Sequence, residues 1–100
     1  MNPLFSAIYE DIAIKVRERL EADLAHDIAY WREENQPDME VVAKADFEDQ
    51  KTCLLWLHKE DIDAFYNALR RMDTAPRGYL VEVVETIYPG FFEIHNEWEY

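Results

Sequence analysis

The sequence is poor in cysteine, glycine and basic residues, and each scarcity narrows what the protein can be. Cys53 is the single cysteine, so no disulfide can form within the chain, and we expect a reducing, cytoplasmic setting. The only glycines are Gly78 and Gly90, too few for a glycine-rich phosphate-binding loop. No apolar run approaches the roughly 20 residues that span a bilayer, and no basic segment precedes one near Met1. The sequence therefore predicts a soluble protein without a secretory signal.

Basic residues are outnumbered by acidic ones. The chain has 22 Asp and Glu against 10 Lys and Arg, which leaves a formal charge of −12. Affinity for nucleic acid and for anionic membranes depends largely on Lys and Arg, so the balance argues against direct binding to either. A basic protein would instead be attracted toward this chain and would associate with it faster.

Apolar and aromatic residues are abundant. They include five Phe, six Tyr and three Trp, and 49% of the chain is hydrophobic. A disordered acidic tail would lack such residues. With no linker or repeat visible, we expect residues 1–100 to form one domain with one core.

The first third of the sequence has the pattern of one long helix. Asn2 and Pro3 form a typical helix start, and the pattern runs to about Asn35. Several steps of four residues make the apolar stripe drift around the helix, which leaves open whether the helix breaks near Glu21. On the opposite face, acidic and basic residues at i,i+4 spacing would form ion pairs that stabilise the helix. The stripe consists of Phe5, Ile8, Ile12, Val16, Leu20, Leu24, Ile28 and Trp31, and the pairs are Asp11/Lys15, Arg17/Glu21 and Arg19/Asp23.

The next segment alternates between apolar and polar residues. From Met39 to Phe47 every second residue is apolar, which is typical of a half-buried strand. Residues 52–57 are apolar on both faces and predict a central strand. The polar stretch 48–51 between them predicts a turn, so the two strands would form a hairpin.

The last forty residues predict one more helix and two more strands. Residues 60–72 have an apolar helical face, acidic residues first and Arg70 and Arg71 last. Residues 73–78 contain Pro76 and Gly78 and predict a loop. Residues 79–88 are rich in Val, Ile and Thr and favour a strand, although Leu80, Val83, Val84 and Ile87 also fit one helix face. Residues 92–100 alternate as a final strand.

The predicted fold class is therefore α+β. The element order is α-β-β-α-β-β, with the long N-terminal helix packed on a small antiparallel sheet.

The candidate binding site lies on the final strand. No Lys or Arg occurs between Tyr79 and Tyr100. Residues two apart on a strand lie about 6.6–6.8 Å apart on one face, so acidic residues there would form a ladder resembling successive phosphates of a nucleic-acid strand. Neighbouring aromatic residues would suit an arginine-rich partner. The proposed ladder comprises Glu93, Glu97 and Glu99 with His95, next to Trp98 and Tyr100. The alternative interpretation is an ordinary solvated surface, or a set of salt bridges to Arg70, Arg71 and Arg77.

A second acidic group lies at the predicted hairpin turn. It comprises Asp46, Glu48 and Asp49 within four residues. Were the turn to adjoin the final strand, the two groups would merge into one negative surface. An ordinary solvated turn is again the alternative.

One motif points toward an enzyme. Pro37-Asp38 followed by Asp49-Gln50-Lys51 matches the PD-(D/E)xK pattern of Mg²⁺-dependent nucleases. The Asp49–Lys51 piece falls in a predicted turn, whereas the chemistry requires rigid placement, and an acidic chain repels nucleic acid. We therefore predict no enzyme, no metal and no cofactor; the three histidines are dispersed, and Cys53 is expected in the core.

These observations predict a small acidic protein that binds a basic protein partner. The partner would be a nuclease or another nucleic-acid-handling enzyme. The chain would act on it as a stoichiometric inhibitor or nucleic-acid mimic, in the manner of immunity proteins, antitoxins or phage anti-defence proteins. A regulatory or adaptor domain that forms a homodimer is the alternative, and a nuclease is a remote one.

Overall fold

The protein is a small bundle of helices. The computed structural model describes the backbone of residues 3–94 and the side chains of residues 8–93. Over this range the backbone forms no strand, so the predicted α+β fold is wrong. The helices are α1 (Pro3–Glu33), α2 (Pro37–His58), α3 (Ile62–Arg71), α4 (Thr74–Ile87) and α5 (Phe91–Ile94).

The long N-terminal helix is confirmed. α1 continues without a break past Glu21. Its apolar stripe places Ile12, Val16 and Leu20 in the core. The three predicted ion pairs all form, with N–O distances of 2.9 Å for Lys15–Asp11, 2.9 Å for Arg17–Glu21 and 3.2 Å for Arg19–Asp23.

The predicted β-hairpin is a helix instead. Both predicted strands and the turn between them fall within α2. Met39, Ala43 and Phe47, which belong to the alternating set, also lie four residues apart and so share a helix face. Residues 48–51 contain neither glycine nor proline, and nothing in them ends a helix.

The first turn of α2 contains residue types that favour the start of a helix. Pro37 occupies the first turn, where its missing N–H costs nothing. Asp38 and Glu40 lie in the same turn and interact favourably with the helix dipole. The turn that precedes α2 contains Asn35 at a positive φ of 54°, a conformation that asparagine tolerates better than most residues.

The second predicted helix is confirmed as α3. The Asp61 carboxylate caps it by accepting a hydrogen bond from the Ala64 backbone N–H at 3.1 Å. Phe65, Tyr66 and Leu69 are buried.

α4 replaces a predicted loop and a predicted strand. It begins at Thr74, inside the expected loop. It buries Leu80, Val83 and Val84, which are the helix face that the sequence offered as the alternative to a strand. Packing of this face outweighs the strand preference of its Val residues.

The predicted final strand is also wrong where the structure describes it. Phe91 and Phe92 belong to α5, a single helical turn, and both are buried. Gly90 precedes this turn with φ +85°, a conformation that glycine adopts at little cost. The Glu85 carboxylate accepts hydrogen bonds from the backbone N–H groups of Gly90 at 3.0 Å and Phe92 at 3.2 Å.

The core lies at one end of an elongated molecule. α1 and α2 form an antiparallel hairpin. α3 packs on α2, and α4 packs on α1 and α2. The Phe91 ring meets the Phe65 ring edge-to-face at 6.1 Å, which closes the core at this end. The bundle measures 49 × 22 × 20 Å.

Candidate partner-binding site

The α1–α2 hairpin extends well beyond the helices that cover it. Leu20 and Gln50 are buried, with exposed fractions of 2% and 5%. None of residues 21–49, all of which the structure describes, is buried. We call residues 21–49 the arm. It contains thirteen residues of α1, so it is about 20 Å long at 1.5 Å per residue.

The arm carries most of the negative charge of the protein. Its ten acidic residues face only Arg32 and Lys44, which gives a formal charge of −8 out of −12 for the whole chain. Six of the ten acids form no ion pair with any base that the structure describes. These six are Asp27, Glu33, Glu34, Asp38, Asp46 and Asp49.

Both basic residues of the arm bind the same carboxylate. Arg32 Nη2 lies 2.7 Å from Glu40 Oε1, and Lys44 Nζ lies 3.2 Å from that oxygen. Hydrogen bonds from Arg32 and then Lys44 lower the pKa of Glu40. The bond to Glu40 in turn raises the pKa of Arg32. Because both bases are engaged here, the rest of the arm has no positive charge of its own.

A groove lies where the arm meets the bundle. Its volume is about 260 Å³, and its lining includes Asp23, Asp27, Asp46 and Tyr79 together with apolar side chains of α1, α2 and α4. The Tyr79 hydroxyl donates a hydrogen bond to Asp23 Oδ2. Asp23 is also paired with Arg19, which leaves Asp27 and Asp46 as the uncompensated carboxylates of the groove.

Burial and negative charge perturb two groups of this groove. Burial, the hydrogen bond to Asp23 and the nearby Asp27 raise the pKa of Tyr79 to about 12 against the pull of Arg19. Burial and the charges of Asp49 and Asp73 raise the pKa of Asp46. Both shifts arise in part because negative charges are crowded together, and a cation placed in the groove would relieve that repulsion.

Exposed apolar residues accompany the acidic ones on the arm. Tyr30, Val41 and Val42 are 50%, 65% and 49% exposed. The Tyr30 ring contacts the half-buried Trp31 edge-to-face with 4.8 Å between centroids. The arm thus combines carboxylates with apolar contact area, as protein-binding surfaces do.

The structure places the predicted site residues differently from the sequence. Asp46, Glu48 and Asp49 lie in the middle of α2 and not in a turn. Asp46 lines the groove, whereas Glu48 is exposed and pairs with Lys51 at 3.1 Å. Glu93 is exposed on α5, so it belongs to no strand ladder. The other predicted site residues, His95, Glu97, Trp98, Glu99 and Tyr100, lie outside the described residues.

The nuclease motif is not assembled into a site. Asp38 and Asp49 are eleven residues apart on α2, about 16 Å along its axis, so one Mg²⁺ cannot contact both. Within residues 8–93, no group of three or more His, Cys, Asp or Glu side chains could hold a metal ion.

Cys53 lies in the core, as predicted. It is 1% exposed, and its Sγ donates to the Phe65 carbonyl oxygen at 3.6 Å. Burial raises the pKa of this thiol to about 12, which makes it a poor nucleophile.

Sequence reasoning missed the arm as a site. The signal was present, because Arg32 and Lys44 are the only bases between Glu21 and Asp49. The final 22 residues contain no Lys or Arg at all, so the sequence favoured them over the arm. Only the hairpin geometry shows that the acidic residues of α1 and those of α2 lie side by side on one projection.

Comparison of the chain with protein-family models, curated proteins and solved structures gives no significant match. Among the helices that the structure describes, none combines the length and apolar character needed to cross a membrane.

Proposed function

We propose that this protein binds a basic protein through its acidic arm and acts as a stoichiometric inhibitor or nucleic-acid mimic. The partner is a nuclease or another nucleic-acid-handling enzyme. The observation that carries the proposal is the concentration of ten acidic residues against two bases on a projection that contributes no buried residue. A segment that adds little to the core and carries this much unpaired charge suits recognition better than stability.

The charge density of the arm supports the mimic. A formal charge of −8 along about 20 Å is one negative charge per roughly 2.5 Å, against about 1.7 Å for duplex DNA. A protein groove evolved for phosphates would meet a comparable field. Basic enzymes would also be steered toward the arm during diffusion.

Capture from the native cell, with the wild-type chain as bait, tests the proposal. The matched bait carries Glu33→Lys, Glu34→Lys and Asp38→Lys, three exposed residues without ion pairs. We expect a basic nucleic-acid-handling protein on the first bait and its loss from the second. The captured enzyme should be inhibited at a 1:1 ratio, and its association should slow at least about tenfold from low to physiological salt.

Two results would contradict the proposal. One is a captured partner that both baits retain equally. The other is a partner whose enzymatic activity is unchanged by saturating amounts of this protein.

A second candidate function, a homodimeric adaptor, rests on another surface. Ile14 and Leu55 are 44% and 45% exposed, and they line one groove between α1 and α2. Arg17, Lys51 and His58 line the same groove, so its charge differs from that of the arm. Sedimentation velocity of the wild type and of Leu55→Glu distinguishes the functions: a dimer that the substitution dissociates supports the adaptor, and a monomer at all concentrations removes it.

A further inference from the structure

The face of α1 that packs in the core continues along the arm, where no helix of the described part of the chain covers it. Tyr9, Val16, Asp23 and Tyr30 follow one another at intervals of seven residues, so they lie on nearly the same side of α1. Tyr9 and Val16 are buried, with exposed fractions of 7% and 0%. Asp23 lies at the edge of the bundle, where it accepts the hydrogen bond from Tyr79 of α4. Tyr30 lies two turns further along the arm and is half exposed.

α2 shows the same change from covered to uncovered. Leu57, Cys53 and Gln50 are buried, and Asp46 is the next residue along that face, lining the groove at the start of the arm. Val42, one turn further, is 49% exposed. We call Asp23, Asp27, Tyr30, Val42 and Asp46 the seam.

Three carboxylates of the seam, those of Asp23, Asp27 and Asp46, line the groove at the base of the arm beside apolar side chains of α1, α2 and α4. In the bundle, α4 packs against both α1 and α2. Pro76 and Tyr79 of α4 reach the base of the arm, and α4 begins only two residues before Pro76. Among the described residues, no helix therefore covers the arm beyond this point.

We propose that the seam seats one basic amphipathic helix of the partner protein, in line with α4. This inference rests on the proposed function and adds the mode of binding. The acidic groove selects the occupant, because Arg and Lys combine a cationic head with an apolar stem. Asp27 and Asp46 would each pair with a cationic side chain. Tyr30 and Val42 would contact the stems and the apolar residues between them.

The length of the arm sets the size of the occupant. A helix of about 14 residues spans the roughly 20 Å of the arm. A second copy of this chain is a poor occupant, because two arms of formal charge −8 would repel each other.

A pair of synthetic peptides tests the seam directly. The first is an 18-residue amphipathic helix with Leu at heptad core positions and Lys and Arg elsewhere. The second has the same composition in scrambled order, so it carries equal charge without an apolar face. We expect the helical peptide to bind the wild-type protein at least about tenfold more tightly at physiological salt.

Two variants of equal charge change locate the binding site. Asp27 lies in the seam, whereas Glu33 lies outside it, about 120° around α1 from Asp27. Neither residue forms an ion pair within the described part of the chain. We expect Asp27→Lys to weaken helical-peptide binding at least about tenfold and Glu33→Lys about threefold or less. Tyr30→Ser, which leaves the charge unchanged, should also weaken it. Circular dichroism verifies that each variant is folded.

The outcomes separate the seam from the proposed function. Equal binding of the two peptides, equal loss in Asp27→Lys and Glu33→Lys, or no peptide binding would each overturn the seam. The proposed function would survive any of these if the natural partner still requires the acidic arm. Failure of the capture experiment, by contrast, would remove the function whatever the peptides do.

Discussion

Gln50 and Pro76 are joined by a buried hydrogen bond at the point where the covered part of the hairpin ends. Gln50 Nε2 donates to the Pro76 carbonyl oxygen over 3.0 Å. Gln50 is the buried polar residue of the described core, and it fixes the start of α4 against α2. The bond therefore lies at the boundary between the bundle and the arm.

Replacing Gln50 should destabilise the protein. Gln50→Ala removes the buried donor, and the expected loss in the free energy of unfolding is about 1–3 kcal/mol. Gln36→Ala is the matched control, since Gln36 is exposed and its side chain makes no capping hydrogen bond. Its effect should stay within about 0.5 kcal/mol. Urea denaturation measures both, and equal effects would refute the role assigned to Gln50.

Glu85 should stabilise the protein through its hydrogen bonds to two backbone N–H groups. Its carboxylate accepts from the N–H groups of Gly90 and Phe92 and so holds the turn that delivers Phe92 to the core. We expect Glu85→Ala to lower the free energy of unfolding by about 1–3 kcal/mol. Glu82→Ala, on the exposed side of α4, should change it by less than about 0.5 kcal/mol. Thermal melting that shows no difference between the two variants would contradict this.

The contribution of Glu40 to the stability of the fold should depend on pH. Its folded pKa is lowered from 4.5 by Arg32 and Lys44, so its ion pairs stabilise the fold above that value. This stabilisation is lost as the pH falls through the lowered folded pKa. Glu40→Gln should therefore melt below the wild type at pH 7, and the gap should shrink on acidification below 4.5. A gap that is constant with pH would show that the ion pairs do not act through this carboxylate.

Cys53 should be unreactive until the protein unfolds. With a pKa of about 12, only about one thiol in ten thousand is ionised at pH 8. A chromogenic disulfide reagent should react at least about a hundredfold more slowly with the native protein than with the urea-unfolded chain. Fast labelling of the native protein would mean that the core around Cys53 opens readily.

The sequence predicted the helices whose signals were unambiguous. Pro3 and the long stripe predict a long helix, which the structure shows to continue past Glu21, and the i,i+4 ion pairs such as Arg17–Glu21 form as expected. Asp61 at the start of α3 and the arginines at its end likewise mark its limits. These features act within a few residues of one another, so they can be recognised without knowing the fold.

The predicted strands failed where two periodicities fitted the same residues. Met39 to Phe47 alternates, yet it also places Met39, Ala43 and Phe47 on one helix face. The choice was decided by α1, against which a continuous α2 packs along its length. The same holds for α4, whose Leu80 and Val83 are buried only because a helix brings them to the hairpin.

The sequence by itself determined that this is an acidic, aromatic-rich chain with a long first helix and a single cysteine expected in its core. Tertiary structure alone decided where the charge acts. Residues such as Asp27 and Asp46 are nineteen positions apart, and they share a groove only because the hairpin folds α2 back on α1. The start of α4 near Pro76 is the last part of that helix to cover the hairpin, so α4 does not cover the acidic half.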